Sequence, residues 1–333
     1  MPSKRKEEET FSIKEAIKRM EEKYGKGVVM TLHDKPLSDV DVIPTGSISL
    51  DYALGIGGVP RGRIIEIYGP ESSGKTTLAL SIVAEAQKKG IACAYIDAEH
   101  ALDPAYSKRL GVDTETLFIS QPDSGEEALD ITEQMAKTKE IGVIVIDSVA
   151  SLLPLAEADS EMGAQFIGLQ ARMMSQALRK LTPISHKNNV TIVFINQIRI
   201  NIGQTWGNPE TTTGGKALKF YSSMRIEIRR TAKLSRGDNI IGNRTLVKVT
   251  KNKLAPPFKT TTFDILFNEG IHKVGDMFDL ALSKKLIDKN GNTFSYGTTK
   301  LGVGLDRAKT KLADSPEILS EITDKLRKVL WPS

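Results

Sequence analysis

Cysteine, long apolar runs and histidine are all scarce in this chain, and each scarcity removes a class of protein. The single cysteine, Cys93, excludes an internal disulfide and fits a reducing compartment, which points to the cytoplasm. It stands in the apolar run IACAYID, where a thiol reads as a small buried strand residue rather than a nucleophile. No apolar run approaches the ~18 residues of a membrane span, so no membrane partner is expected. The opening MPSKRKEEET lacks the apolar segment of a secretory signal and reads as a solvated, frayed end. Histidine number 100 has no second ligand beside it, so it reads as structural rather than as part of a metal site.

What the chain does have is length and unevenly placed charge. At 333 residues it is too long for one small core, and ~100–200 residues per domain predicts two or three domains. Hydrophobic residues at 40% and charged residues at 26% are those of a soluble globular protein. Between Asn196 and Thr260, thirteen Lys/Arg face three acids, Glu210, Glu227 and Asp238. That segment is either a face for a polyanion or a solvated basic surface.

Ser12 followed by Glu15 makes a capping box, and Ile13, Ile17, Met20 and Tyr24 repeat at helical spacing, which predicts an amphipathic helix over 12–24. Such a helix needs a body to pack on, its own or a neighbouring subunit's, so residues 1–36 are expected to be an oligomerisation segment. From residue 61 onward, RIIEIYG, IACAYID, IGVIVID and VTIVFIN are β-branched runs separated by helix-length segments, the pattern of strands buried on both faces of a parallel sheet. MRIEIRR, TLVKVTK and TTFDILF follow closely and alternate more, which predicts an antiparallel extension. The expected fold is therefore α/β, with a mostly parallel central sheet flanked by helices over 37–272. A small C-terminal α/β domain follows over 273–333, where eleven Lys/Arg and eight Asp/Glu give a net +3.

The segment GPESSGKT, comprising Gly69, Pro70, Glu71, Ser72, Ser73, Gly74, Lys75 and Thr76, matches G-x-x-x-x-G-K-[ST] and lies between a strand and a helix. Its glycines let backbone amides converge on phosphate oxygens, aided by the following helix N-terminus that Thr77 continues. Lys75 would neutralise β and γ oxygens, and Thr76 would ligate Mg²⁺. Asp147 ends the strand IGVIVID, where it either partners Mg²⁺ or caps the next helix. Hydrolysis further needs a group that deprotonates or orients water, and Glu99, just past IACAYID, is the candidate because ends of adjacent parallel strands face one crevice. Gln197 closes VTIVFIN and opens the polar loop IRINIGQTWGNPETTTGGK, flanked by Arg199, Lys216 and Lys219 and holding Trp206. That loop is either a site for single-stranded nucleic acid, by backbone contact and base stacking, or a surface loop with an incidental Trp.

These segments together resemble the bacterial RecA recombinases. GPESSGKTT, YIDAEHALDPAY, VIDSVASLLP, GLQARMMSQALRKL, NQIR, GNPETTTGGKALKFYSSMRIEIRR and KNKLAPPFK read as that family's segments in its order, over about 12–330. The resemblance implies a RecA-like core and a DNA-dependent ATPase that forms a helical filament on single-stranded DNA. It implies pairing with homologous double-stranded DNA, strand exchange, and self-cleavage of a damage-response repressor. It also implies that Glu99 is the general base, Gln197 the γ-phosphate sensor, and Asp103 and Tyr106 adenine contacts. Lys251 and Lys253 match the pair that reaches the ATP of the adjacent subunit, with Phe220 at the same junction. The two DNA-binding loops match residues 157–168 and 199–213, the Gly214–Gly215 pair follows the second, and Arg172, Ser175 and Arg179 match phosphate contacts on the helix after the first. Departures fall in both loops, at Ala164, Gln165 and Phe166 and at Asn201, Gln204, Thr205 and Trp206, and the chain stops at LRKVLWPS without the acidic tail that many members carry.

Three other readings use the same loop. A GTPase would want Asn-Lys-x-Asp, whereas the nearest match is NKLA, Asn252–Ala255. A hexameric helicase of related core would unwind a forked duplex, and a purely structural filament protein would show no DNA-stimulated turnover.

Overall fold

The computed structural model describes residues 12–31, 40–161, 168–200, 207 and 209–331. Residues up to Val40 form a unit of their own. In it, helix α1 (Ile13–Tyr24) starts from Ser12, whose hydroxyl accepts from the Glu15 amide at 3.3 Å while the Glu15 carboxylate accepts from the Ser12 amide at 3.0 Å. This is the expected capping box, and Gly25 ends the helix at φ 98°. No residue of α1 is buried, and Ile13 and Tyr24 of its apolar stripe are 78% and 65% exposed.

The second unit begins with β1 (Val42–Ile43), α2 (Ile48–Leu54), β2 (Val59–Pro60), β3 (Ile64–Gly69), α3 (Lys75–Lys88), β4 (Ala92–Asp97), α4 (Pro104–Arg109), β5 (Phe118–Ser120), α5 (Gly125–Lys137) and β6 (Ile141–Asp147). It continues through α6 (Leu155–Ala158), α7 (Leu169–Asn188), β7 (Thr191–Ile200), β8 (Glu210–Thr212), α8 (Ala217–Tyr221), β9 (Met224–Arg236), β10 (Asn239–Asn252), β11 (Thr260–Leu266) and β12 (Gly270–Ile271). The last stretch holds α9 (Lys273–Ser283), β13 (Asp288–Asn290), β14 (Thr293–Tyr296), β15 (Thr299–Val303), α10 (Leu305–Ala313) and α11 (Pro316–Leu330).

The main sheet has the order β12-β11-β10-β9-β3-β7-β6-β4-β5. From β5 to β9 every neighbouring pair is parallel, and β9, β10, β11 and β12 then pair antiparallel. The continuous apolar runs are explained by burial on both faces. Ile65, Ile67, Tyr95, Val143 and Val145 pack with Leu78 and Ile82 of α3, while Ile64, Ile96, Ile144 and Ile192 pack with residues of α5 and α7 such as Leu129 and Leu178. Cys93 is wholly buried in the first layer, which pushes its thiol up to about 12 and leaves it unreactive.

Two elements depart from the sequence reading. The edge strand β5 escaped it, because Phe118 and Ile119 are both exposed and show no in-out alternation. Strand β7 does not close at Gln197: it runs on to Ile200, where Ile198, Arg199 and Ile200 pair with Thr212, Thr211 and Glu210 of β8. The flanks of the polar loop therefore form a short antiparallel ladder that satisfies their backbone groups.

The C-terminal stretch packs β13, β14 and β15, an antiparallel sheet, against α9–α11 around Phe278, Phe294, Leu301 and Leu326. Helix α9 is joined to α2 by the buried carboxyl of Asp276, beside a second buried carboxyl, Asp51, that binds within the α2 segment itself. Asp276 accepts from the Ser47 hydroxyl at 2.7 Å and the Ser49 amide at 3.1 Å, and Asp51 accepts from the Thr45 amide and hydroxyl, both at 2.8 Å. Burial pushes Asp51 up to about 7, with the Asp276 charge adding to it, and pushes Asp276 upward, with the Asp279 charge adding to it. Among the described residues no helix is long and apolar enough to cross a membrane.

Candidate nucleotide and DNA sites

Strand β3 delivers Gly69 to the end of the parallel sheet, and the chain then turns through residues 70–74 into α3. A Cβ on Gly69 would run into the Ile228 carbonyl, and one on Gly74, which sits at φ 101°, would meet Ile265 Cδ1 at 2.5 Å. Both positions therefore need glycine. No side chain caps the N-terminus of α3, so its first amides stay available to an anion. The Ser73 hydroxyl is buried with no hydrogen-bond partner, an orphan that a phosphate oxygen would satisfy. Lys75 is 9% exposed and donates to the Pro70 carbonyl at 2.8 Å. Burial holds its ammonium below the ordinary lysine range, against the pull of Asp147 and Glu99.

The Thr76 hydroxyl donates to Asp147 Oδ2 at 2.8 Å, and the Tyr95 phenol donates to the same oxygen at 2.7 Å. Burial raises the Asp147 carboxyl, opposed by these two hydrogen bonds. A threonine hydroxyl paired with a strand-end carboxylate beside a phosphate cradle is a donor set that fits Mg²⁺. The adjoining cleft, about 420 Å³, is lined by Ser72 to Thr77, Tyr106, Arg230, Asn243, Thr245 and Phe267. Tyr106 meets the Thr77 hydroxyl at 2.8 Å, whereas the Asp103 carboxylate is occupied in capping α4 through the Ala105 amide at 2.8 Å. Arg230, Asn243 and Thr245 were not foreseen; they reach the cleft from β9 and β10, strands whose local pattern says nothing of a nucleotide.

At the neighbouring strand ends, register places Gly69 beside Gln197 and Asp97 beside Asp147. Glu99 lies just beyond, exposed, and its Oε1 accepts from Gln197 Nε2 at 3.1 Å and from the buried Ser148 hydroxyl. The network continues on the far side of Gln197. Its amide donates to Asn196 Oδ1 at 2.8 Å, an oxygen that also accepts from the Thr213 hydroxyl, and Asn196 Nδ2 donates to Thr213 O at 3.1 Å. The expected base and the expected sensor thus touch, and both are tied to the end of the polar loop. Asp97 itself is structural, accepting from the Ala101 and Leu102 amides and from Gln121.

Of the expected DNA contacts, Trp206 and the departures Ala164, Gln165, Phe166, Asn201, Gln204 and Thr205 lie outside the described residues. Their frames are described. Arg172, Ser175 and Arg179 share one face of α7, with both arginines exposed, and Arg199 is exposed on the ladder. Gly214 and Gly215 adopt φ 77° and 76°, and added Cβ atoms would meet Val149 Cγ1 at 2.8 Å and Ala171 Cβ at 2.7 Å. The Gly214 amide donates to Gln170 Oε1 at 3.2 Å, and Gln170 Nε2 donates to the Val149 and Leu152 carbonyls. Gln170, unremarked in the sequence, thereby binds the end of the second loop to the strand-end segment after Asp147.

Lys251 and Lys253 are not brought to this cleft. Lys251 pairs with Arg225, and Arg225 with Glu66, three residues before Gly69 on β3. Lys251 donates to the Lys219 and Phe220 carbonyls at 2.6 and 2.9 Å, with Lys253 3.5 Å from the latter. Burial, with Lys253 adding to it, pushes Lys251 down to about 8, and Phe220 beside the pair is 71% exposed.

A glycine-pinched turn from a parallel strand into an uncapped helix, floored by a lysine and a threonine–carboxylate pair, defines a nucleotide-binding ATPase of the phosphate-loop class. The family described as RecA N-terminal domain matches residues 11–272, and that described as RecA C-terminal domain matches 275–330. Proteins named RecA from Geobacter metallireducens and Campylobacter lari are 56% and 58% identical over 96% and 95% of this chain and 95% and 92% of their own lengths. The chain belongs to the RecA family. It is accordingly a DNA-dependent ATPase of recombination and repair, which binds nucleotide and DNA. A solved RadB recombinase, 22% identical with a TM-score of 0.53 over 69% of this chain and 98% of its own, shares the fold.

Proposed function

We propose that the chain binds ATP with Mg²⁺ in the cleft beside Gly69–Thr77, hydrolyses it within a helical filament of copies on single-stranded DNA, and pairs that strand with homologous double-stranded DNA. The α3 amides and the Ser73 hydroxyl bind phosphate oxygens, and Lys75 leaves Pro70 to join them. Thr76 and Asp147 hold the Mg²⁺, which when bound neutralises charge on the β and γ oxygens. Tyr106 and Asp103 border the adenine, Glu99 takes the proton from the attacking water, and Gln197 senses the γ-phosphate. Arg172, Ser175, Arg179, Arg199, Trp206 and the Gly214–Gly215 turn face single-stranded DNA, and the net-basic C-terminal stretch captures the duplex.

Two features support assembly. The apolar stripe of α1 finds no cover within its own unit, and the edge strand β5 leaves Phe118 and Ile119 exposed. Lys251 and Lys253, which do not line the cleft at their own phosphate loop, would leave the Lys219 and Phe220 carbonyls for a neighbour's phosphates. Promotion of self-cleavage of a damage-response repressor, in the cytoplasm, completes the proposal and follows from the family resemblance.

The observation that carries the reading is the contact of Gln197 with Glu99 at 3.1 Å, on a residue whose backbone is bound through Asn196 to Thr213. Moving Gln197 toward a phosphate frees Glu99 and pulls on the DNA loop together. Gln197→Ala is expected to keep nucleotide binding, read with a fluorescent ATP analogue, while its hydrolysis rate no longer rises on adding single-stranded DNA. Full stimulation in the variant would refute the coupling.

A further inference from the structure

The phenol of Tyr95 has no part in the scheme above, yet it ends on the most chemically loaded oxygen of the site. Tyr95 lies in the middle of β4 and is 1% exposed. Its neighbours in the same layer are Val143 and Val145 of β6 and Leu78 of α3, so the ring by itself is ordinary core. A phenylalanine would pack there equally well. The hydroxyl changes the position's meaning: in an apolar layer it must find an acceptor, and the acceptor is Asp147 Oδ2 at 2.7 Å.

Thr76 donates to the same oxygen at 2.8 Å. One donor comes from α3 above and one from β4 beside, and two donors from different elements fix both the rotation of a carboxylate and the direction of its remaining lone pairs. Losing an outer hydrogen bond that orients a metal ligand typically costs about 10–100-fold in metal affinity. Resting on the assignment of Asp147 to Mg²⁺, we infer that Tyr95 is a positioning residue that aims the Asp147 carboxylate at the metal and so governs how strongly Mg²⁺ and nucleotide bind together.

The inference separates two quantities that a packing role would move together. Tyr95→Phe removes the hydroxyl and leaves the ring. A fluorescent ADP analogue is titrated into the variant and the unaltered protein, once with excess Mg²⁺ and once with a chelator. The ratio of the two dissociation constants measures the metal's contribution. Metal-free affinity is expected to stay within about twofold, while the ratio falls about tenfold. An unchanged ratio, or equal losses with and without metal, overturns the inference.

Asp147→Asn distinguishes this failure from failure of the underlying site reading. If it keeps the full Mg²⁺ effect, Asp147 does not serve the metal at all; if it loses the effect while Tyr95→Phe keeps it, only the role of Tyr95 falls. Should Tyr95→Phe not fold, 3-fluorotyrosine placed at position 95 carries the test. Its fluorine resonance is expected to shift when Mg²⁺ is added to the nucleotide-bound protein, and an unmoved resonance again overturns the inference.

Discussion

Replacing Asp51 with Asn should make the protein more stable, and by an amount that grows with pH. Asp51 is 7% exposed in the first turn of α2, with Asp276 of α9 beside it. Both its hydrogen-bond donors come from Thr45, and the charges that bear on it, Asp276 and Glu85, are of its own sign. Its carboxyl is raised from 3.8 to about 7 in the folded chain. The folded state therefore holds a proton that the unfolded state has released, and stability falls as pH climbs from the unfolded value toward the folded one. A shift of that size corresponds to as much as about 4 kcal/mol, fully lost above pH 7 and only about 1–2 kcal/mol lost at pH 5.

An asparagine oxygen can accept both Thr45 donors without bringing a charge. The melting temperature of Asp51→Asn should then exceed that of the unaltered protein by several degrees at pH 8, given about 2 °C or less per kcal/mol in a chain this long. The gap should narrow by more than half at pH 5. A variant no more stable at pH 8, or a gap that does not change between pH 5 and pH 8, would refute the claim that this carboxyl is ionised against its surroundings.

Lys75→Ala should abolish turnover and weaken nucleotide binding, whereas Glu99→Gln should bind nucleotide normally and fail in hydrolysis, since it keeps the acceptor for Ser148 and Gln197 but loses the base; normal DNA-stimulated hydrolysis by the Glu99 variant would remove the assignment. A Lys251→Ala/Lys253→Ala double variant should be equally inactive alone but recover part of its hydrolysis when mixed with Lys75→Ala, because junctions then form between an intact phosphate loop and an intact lysine pair. No recovery in filaments shown to contain both variants would argue against a shared site.

The parts legible in the sequence are those written in one local pattern. The runs RIIEIYG, IACAYID, IGVIVID and VTIVFIN became β3, β4, β6 and β7 because burial on both faces demands unbroken apolar residues, and the order of such strand ends brings Glu99 to Gln197. What could not be read depends on partners distant in the chain. Tyr95 is one more large residue in an apolar run until β6 is set beside β4 in a register that ends at Asp97 and Asp147. Asp51 and Asp276 are far apart in sequence and look like helix-face carboxylates until α2 and α9 bury them together. Gln170 reads as a helical surface residue, and only the return of the chain at Gly214 reveals what it holds. The extension of β7 was missed because its partner, β8, lies beyond a polar loop that carries no strand signal of its own.

Lys251 lies near the end of β10, level with Glu66 of β3, with Phe220 beside it, while Gly69 closes β3 at the phosphate loop, and this offset gives the single chain a polarity like that of a bar magnet. On the proposed assignment, half of a reaction centre projects from each pole. A row of n chains then holds only n − 1 finished centres, and the two terminal chains differ: one keeps a nucleotide that no neighbour can help it hydrolyse, the other offers lysines to nothing. Turnover per chain should climb with row length and level off, and the end whose nucleotide persists should be the end that keeps its subunits. Growth and shedding would in that way be sorted to opposite ends by the direction of one strand.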